Sequence, residues 1–183
     1  MTKLLIPALI VVVVVLVLSG LAMRSYAAQA SELPQAGQMA PSFTLPNEEG
    51  KPVSLESLRG HWVVLYFYPK DMSHGCTIEA HNFERDIAQY RAKNAEVVGV
   101  SVDTVGSHKE FCAKDGLNFT LLSDQDLKVS REYGVLGNYM GFKFDKRVTF
   151  LINPEGKITT VWPKVDPSIH SQQVLTELTS LKA

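Results

Sequence analysis

"WVVLYFYPKDMSHGCTIEAH", residues 62 to 81, runs from an apolar stretch through a turn into an amphipathic segment, and that change of period decides the fold. Trp62 to Tyr68 is almost continuously apolar, the pattern of a strand covered on both faces. Beyond Pro69, the residues Cys76, Ala80, Phe83, Ile87 and Tyr90 recur by fours and threes, so one face of a helix points at the sheet and Cys76 opens it. Ser73 is placed to cap that helix, which sets Cys76 in its first turn.

Reading outward, Glu96 to Val102 is a second apolar strand, and a helix follows it with Ser107 to Glu110 as a capping box and Gly116 as its stop. Cys112 falls near the middle of that helix. A third helix is expected to be capped by "SDQD" from Ser123 and to end at Gly134. "VTFLI" and "KITTVW" flank Asn153-Pro154-Glu155-Gly156 as a hairpin, and Pro167 to Leu181 reads as a last helix with Val174, Leu178 and Leu181 inward. "SFTLPNEEGKPVSL" suggests a short hairpin before all of these. This order predicts an α/β fold, a thioredoxin-like mixed sheet with helices on both faces.

The N-terminus is of another kind. Leu4 to Met23 contains 20 residues without a charge, which as helix would reach about 30 Å, enough to cross a bilayer core. Residues 1–30 therefore read as an export segment, either an uncleaved anchor or a signal cut after Ala28-Gln29-Ala30. The polar, proline-broken "SELPQAGQMA" at 31–40 reads as a linker, and 41–183 as the domain. The expected location is exported: the periplasmic side, tethered or released. Without residues 1–30 the chain carries 16 basic against 19 acidic residues, so nothing favours a nucleic-acid partner.

Two cysteines in an exported chain admit a bland reading, a structural bridge. The helical stripe alone leaves it open whether Cys76 is a small buried hydrophobe or a nucleophile. Thiol chemistry needs thiolate, and lowering a cysteine pKa by two units requires roughly 2.7 kcal/mol of preferential stabilisation of the anion. A first-turn position supplies up to ~2 kcal/mol. A charge-assisted hydrogen bond from an arginine adds ~1.5–3 kcal/mol. Together they suffice.

Pro69, three residues, Ser73, two residues, Cys76 resembles the peroxiredoxin signature, and Thr77, Glu79 and Ala80 resemble its bacterioferritin-comigratory, or PrxQ, branch. "LYFYPKD", "FTLLSDQD", "RVTFLINPEGKI" and "VWPKVDPSIH" extend the resemblance from about Pro41 to the C-terminus. It implies that Cys76 is the peroxidatic cysteine, attacking the O–O bond of a hydroperoxide and becoming a sulfenic acid. By the same resemblance Ser73 is the orienting hydroxyl and Pro69 the shielding ring. Arg147 is the arginine that hydrogen-bonds thiolate and peroxide, and Glu79 holds that arginine. The resemblance also implies that sulfur alone does the chemistry, with no cofactor or metal, and that a thioredoxin-like reductant recycles the enzyme, which is expected to be a monomer.

Two positions depart from the branch. His81 stands where many members carry the resolving cysteine, and His74 where proline is frequent. Cys112, 36 residues after Cys76, matches the resolver of another subset, and a buried structural role is its alternative. Lys109 and Lys114 offer its thiolate weak support at best. Bridging the two cysteines is expected to require local unfolding, because two packed helices hold their Cα atoms beyond the ~7 Å that a disulfide spans. Met72, His74, Cys76 and His81 also suggest a copper module, but His81 sits about 140° round the helix from Cys76. A thiol–disulfide oxidoreductase is disfavoured by Glu79 where a second cysteine belongs and by Val148 before Thr149.

Overall fold

The computed structural model describes residues 32–181. The apolar segment at 4–23 and its candidate cleavage site lie outside the described residues. Among the described residues no helix is long and apolar enough to cross a membrane.

The chain enters through a hairpin of β1 (Thr44–Pro46) and β2 (Pro52–Ser54), antiparallel with Leu45 opposite Val53. A 3-10 turn at Glu56–Leu58 leads to β3 (Trp62–Phe67), followed by α1 (His74–Ala92), β4 (Ala95–Ser101), α2 (Val105–Asp115) and β5 (Thr120–Ser123). After the short α3 (Lys128–Glu132) come a hairpin of β6 (Leu136–Tyr139) and β7 (Phe142–Asp145), then β8 (Val148–Ile152), β9 (Ile158–Trp162) and α4 (His170–Ser180). The central sheet has the order β5-β4-β3-β8-β9, with β3, β4 and β5 parallel and β8 and β9 antiparallel to their neighbours.

Because strand side chains alternate, β3 feeds two cores. Val63, Leu65 and Phe67 pack with Phe43, Leu55, Val129 and Tyr133 from the first hairpin and the α3 region. Val64, Tyr66 and Tyr68 pack on the other face with Cys76, Ala80, Phe83, Phe111 and Val174 from α1, α2 and α4. The expected mixed sheet with helices on both faces is present. Tyr66 lies so close over β4 that a Cβ at Gly99 would fall 2.8 Å from its ring and 2.7 Å from Leu121, which explains a glycine inside that strand.

Several expected boundaries move. The second helix starts at Val105, not at Ser107, because the Thr104 hydroxyl accepts the Ser107 amide and takes the cap position. Cys112 consequently sits in the last third of α2, which Gly116 ends with φ +66°. Ser123 belongs to β5, and the amides of Val129 and Ser130 at the start of α3 are taken by the carboxylate of Asp124. Leu181 is exposed just beyond α4, whereas Val174 and Leu178 are buried as expected. Most of the expected 31–40 linker is fastened to the domain. Gly37 donates to Ile158, Ala40 donates to Gly156, and Leu33 packs on the core, so the compact unit begins at Leu33.

Candidate active site

β3 gives way at Tyr68, whose amide still bonds Val100, and the chain turns through Pro69, Lys70, Asp71 and Met72 before α1 begins. Met72 takes a left-handed conformation, φ 55°, in that turn. Ser73 is the N-terminal boundary residue of α1, but its hydroxyl donates to the Lys70 carbonyl at 3.0 Å and does not cap the helix. The helical ladder starts with Thr77 donating to the Ser73 carbonyl, so the amides of His74, Gly75 and Cys76 precede it. Uncapped first-turn amides and the helix dipole favour negative charge there.

Cys76 is buried in that turn, and Arg147, the residue before β8, donates from Nη2 to its Sγ at 3.2 Å. The other side of the guanidinium forms an ion pair with Glu79, whose carboxylate is buried one turn further along α1. Burial pushes the Glu79 carboxyl up to about 7, against the pull of Arg147, and Oε1 of the same group has no partner. For Arg147, burial works against its charge but Glu79 and Cys76 outweigh it and raise its pKa. The sulfur thus faces one fixed cation that is itself anchored by a buried carboxylate.

Gly75 lies against the same groups: a Cβ there would stand at ordinary contact distance, 3.4 Å from Arg147 Nη2 and 3.8 Å from Pro167. Pro167 and Ser168 are held over the start of α1 by Asn82, whose amide donates to both carbonyls at 3.0 and 3.2 Å. Beside them His170 Nε2 meets Thr149 Oγ1 at 2.8 Å, and burial lowers the His170 pKa to about 4. In the sequence Pro167 and His170 stand out only as members of a resembling stretch, and Asn82 not at all. Their partners lie 21 to 86 positions away, where no local period points.

The structure therefore gathers Cys76, Glu79 and Arg147, with Ser73 in the same turn and Pro69 half-buried at its entry. Cys112 stands apart. It is half-buried and lines an open cleft of about 500 Å³ with Glu84, Ile87, Leu117 and Phe119. Burial first, then the charges of Glu48, Asp71 and Glu84, push its thiol up to about 12. Lys109 and Lys114 do not bring the thiol back down. Both cysteines are free thiols. His81 turns to Asp115 at 2.9 Å and His74 is exposed, so the four residues considered for copper do not converge.

Residues 36–161 match the AhpC/TSA family. The chain is 46% identical over 148 residues to a putative peroxiredoxin bcp of Coxiella burnetii, covering 79% of this chain and 98% of that one. Peroxiredoxin Bcp of Escherichia coli is 39% identical over 145 residues, 77% of this chain and 93% of its own. Two structures of Xanthomonas campestris peroxiredoxin Q, each a serine variant of one of two cysteines 36 positions apart, superpose with TM-scores of 0.73 and 0.72. They are 36% and 37% identical to this chain, covering 84% and 82% of it and 98% and 97% of themselves.

Proposed function

We infer the reaction from one premise: the chain belongs to the AhpC/TSA family, among its peroxiredoxins of the Bcp and PrxQ branch. It is a thiol peroxidase. The observation that carries the residue assignment is the Arg147 guanidinium, 3.2 Å from the Cys76 sulfur and anchored on its other side by Glu79.

In the proposed reaction the Cys76 thiolate attacks the terminal oxygen of a hydroperoxide and the O–O bond breaks. The leaving oxygen takes a proton and departs as an alcohol, or as water from hydrogen peroxide, and the sulfur becomes a sulfenic acid. Arg147 and the first-turn amides of α1 stabilise the thiolate and the negative charge that develops along the O–O axis. Ser73 orients the peroxide once its hydroxyl leaves the Lys70 carbonyl, and Pro69 screens the sulfur from water. A stopped-flow measurement of peroxide consumption by the reduced chain tests this assignment: Cys76→Ser should abolish it, and an unchanged rate overturns it.

Cys112 is the proposed resolving residue. Its thiol attacks the sulfenic sulfur, a disulfide forms and water leaves. A thioredoxin-like dithiol then returns two electrons. The 36-residue separation of Cys76 and Cys112, equal to that of the two cysteines varied in the Xanthomonas campestris protein, supports the pairing. Distance sets its condition. Cys112 shares its cleft with Glu84 and Ile87, eight and eleven residues beyond Cys76 on α1, which at 1.5 Å per residue is about 12–16 Å along the axis. A disulfide tolerates about 7 Å between Cα atoms, so the first turn of α1 and part of α2 must open. Both cysteines belong to one chain, and a monomer suffices.

The apolar segment at residues 4–23 supports an exported enzyme, tethered at the membrane or released by cleavage. A fusion of residues 1–40 to a periplasmic reporter should be active. A reporter found only in the cytoplasm refutes both versions.

A further inference from the structure

The segments that carry the two cysteines share a buried polar cluster that the reaction as described does not use. Asp71 precedes Cys76 by five residues, and His108 precedes Cys112 by four on α2. Their side chains are fully buried, and His108 Nδ1 meets Asp71 Oδ2 at 2.8 Å. Tyr68 donates its hydroxyl to Asp71 Oδ1 at 2.6 Å, and the Asp71 amide donates to Asp103 Oδ2 at 2.8 Å, where Ser101 Oγ also donates at 2.8 Å. His108 Nε2 has no partner. The cluster ties the turn that aims Cys76 to the start of the helix that carries Cys112.

Packing alone does not explain a carboxylate and an imidazole there, since apolar side chains of similar volume stabilise a core at least as well. A buried pair differs in how it fails. Separating the partners leaves each desolvated and alone, so the contact is either made or fully released, and no graded slackening lies between. Such a contact suits a place where two segments must hold together in one step of a reaction and part in the next.

We propose that the Asp71–His108 pair is a latch: closed, it holds the Tyr68–Ser73 turn against α2 in the arrangement that reacts with peroxide, and its release frees Cys112 to reach the sulfenic sulfur. Asp71 and His108 are positioning residues; neither touches the peroxide. This rests on the reading that Cys112 resolves Cys76. His81 and Asp115, and Glu84 and Asn118, also join α1 to the far end of α2. Those contacts are exposed and water-screened, so among the polar contacts the buried pair is the one whose release costs most.

The test separates the two chemical steps in the full chain. Reduced protein is mixed with hydrogen peroxide; loss of peroxide reports the first step, and non-reducing peptide mass spectrometry after thiol quenching reports the Cys76–Cys112 disulfide. In His108→Asn, and in the near-isosteric Asp71→Asn, the ratio of the disulfide rate to the oxidation rate should rise by about tenfold or more, with the double variant no further changed than either single one. Conversion of Cys76 to sulfinic acid should then need correspondingly more peroxide. Mere loss of stability lowers the melting temperature without moving that ratio. A ratio within about twofold of the parent, or additive effects in the double variant, overturns the latch. Hydrogen exchange needs no substitution: on oxidation of the parent, amides at 70–73 and 105–109 should lose protection while β3 keeps it. Retained protection there also overturns the latch. A parent that forms no Cys76–Cys112 disulfide refutes the resolving role and the latch with it, whereas a parent whose disulfide rate the variants share refutes the latch alone.

Discussion

Replacing Arg147 by methionine keeps an unbranched side chain and removes the guanidinium from between two groups. On one side the sulfur of Cys76 loses a donor at 3.2 Å. A hydrogen bond to an ionised group contributes about 1.5–3 kcal/mol, and if that contact is fully made in the transition state its loss slows oxidation roughly 10- to 150-fold. On the other side Glu79 is left buried without its counter-ion. Breaking a buried pair from one end costs about 3–5 kcal/mol, but this carboxyl is already pushed up to about 7 and escapes part of the penalty by taking a proton. The two effects separate in a second variant. Arg147→Met with Glu79→Gln should recover much of the lost stability, because no charge is stranded, and none of the lost rate. The assay is stopped-flow oxidation of the reduced chain by hydrogen peroxide, alongside denaturant melts of both variants. A single variant that oxidises within about threefold of the parent refutes the role given to Arg147.

Other expectations follow from groups away from the sulfur. Cys112, its thiol pushed up to about 12 in the fold, should be alkylated by iodoacetamide at pH 8 on the order of a hundredfold more slowly than a free thiol, and normally in guanidinium; fast labelling in the folded chain contradicts the burial argument. Asp145 is pushed up to about 7 from an ordinary value of 3.8 by burial, against the pull of the Ser130 hydroxyl and with Asp124 and Asp103 adding to it. A raised folded value means that the stability is complete below the unfolded value and lost as pH rises through 7, so Asp145→Asn should raise the melting temperature at pH 8 more than at pH 5; equal shifts count against this. Gly99→Ala drives a methyl group onto Tyr66 and Leu121 and should cost about 1–3 kcal/mol in urea unfolding, whereas a neutral result would mean that β4 and Tyr66 part easily.

What the sequence made legible, and what it hid, divides by the range of the interaction. β3 and the inward face of α1 could be read because one residue period fixes each. Arg147 and Glu79 could be assigned only by resemblance, because they meet across 68 positions and each alone looks like a solvated charge. For the cap of α2, Thr104 and Ser107 both suit the position by sequence, and the path out of β4, where Asp103 is tied to Asp71 and Ser101, selects the first. The β6–β7 hairpin is not legible in the sequence because Tyr139, Met140 and Phe142 are all exposed there, so its apolar residues carry no inward alternation. Residues 33–40 look like linker by composition. They are held by backbone pairing and by Leu33, neither of which polar composition reveals. For Cys112 the neighbours in sequence are lysines, but the charges that act on it come from Glu48, Asp71 and Glu84 on other segments.

The most direct test of the central claim is the intact mass of the reduced chain after one equivalent of hydrogen peroxide, followed by peptide mapping without reductant. The account predicts the loss of two hydrogens, located as a Cys76–Cys112 cross-link within one chain, and in Cys112→Ser the gain of one oxygen on Cys76. An unchanged mass in the parent, or oxygen added to Cys112 while Cys76 stays reduced, contradicts it.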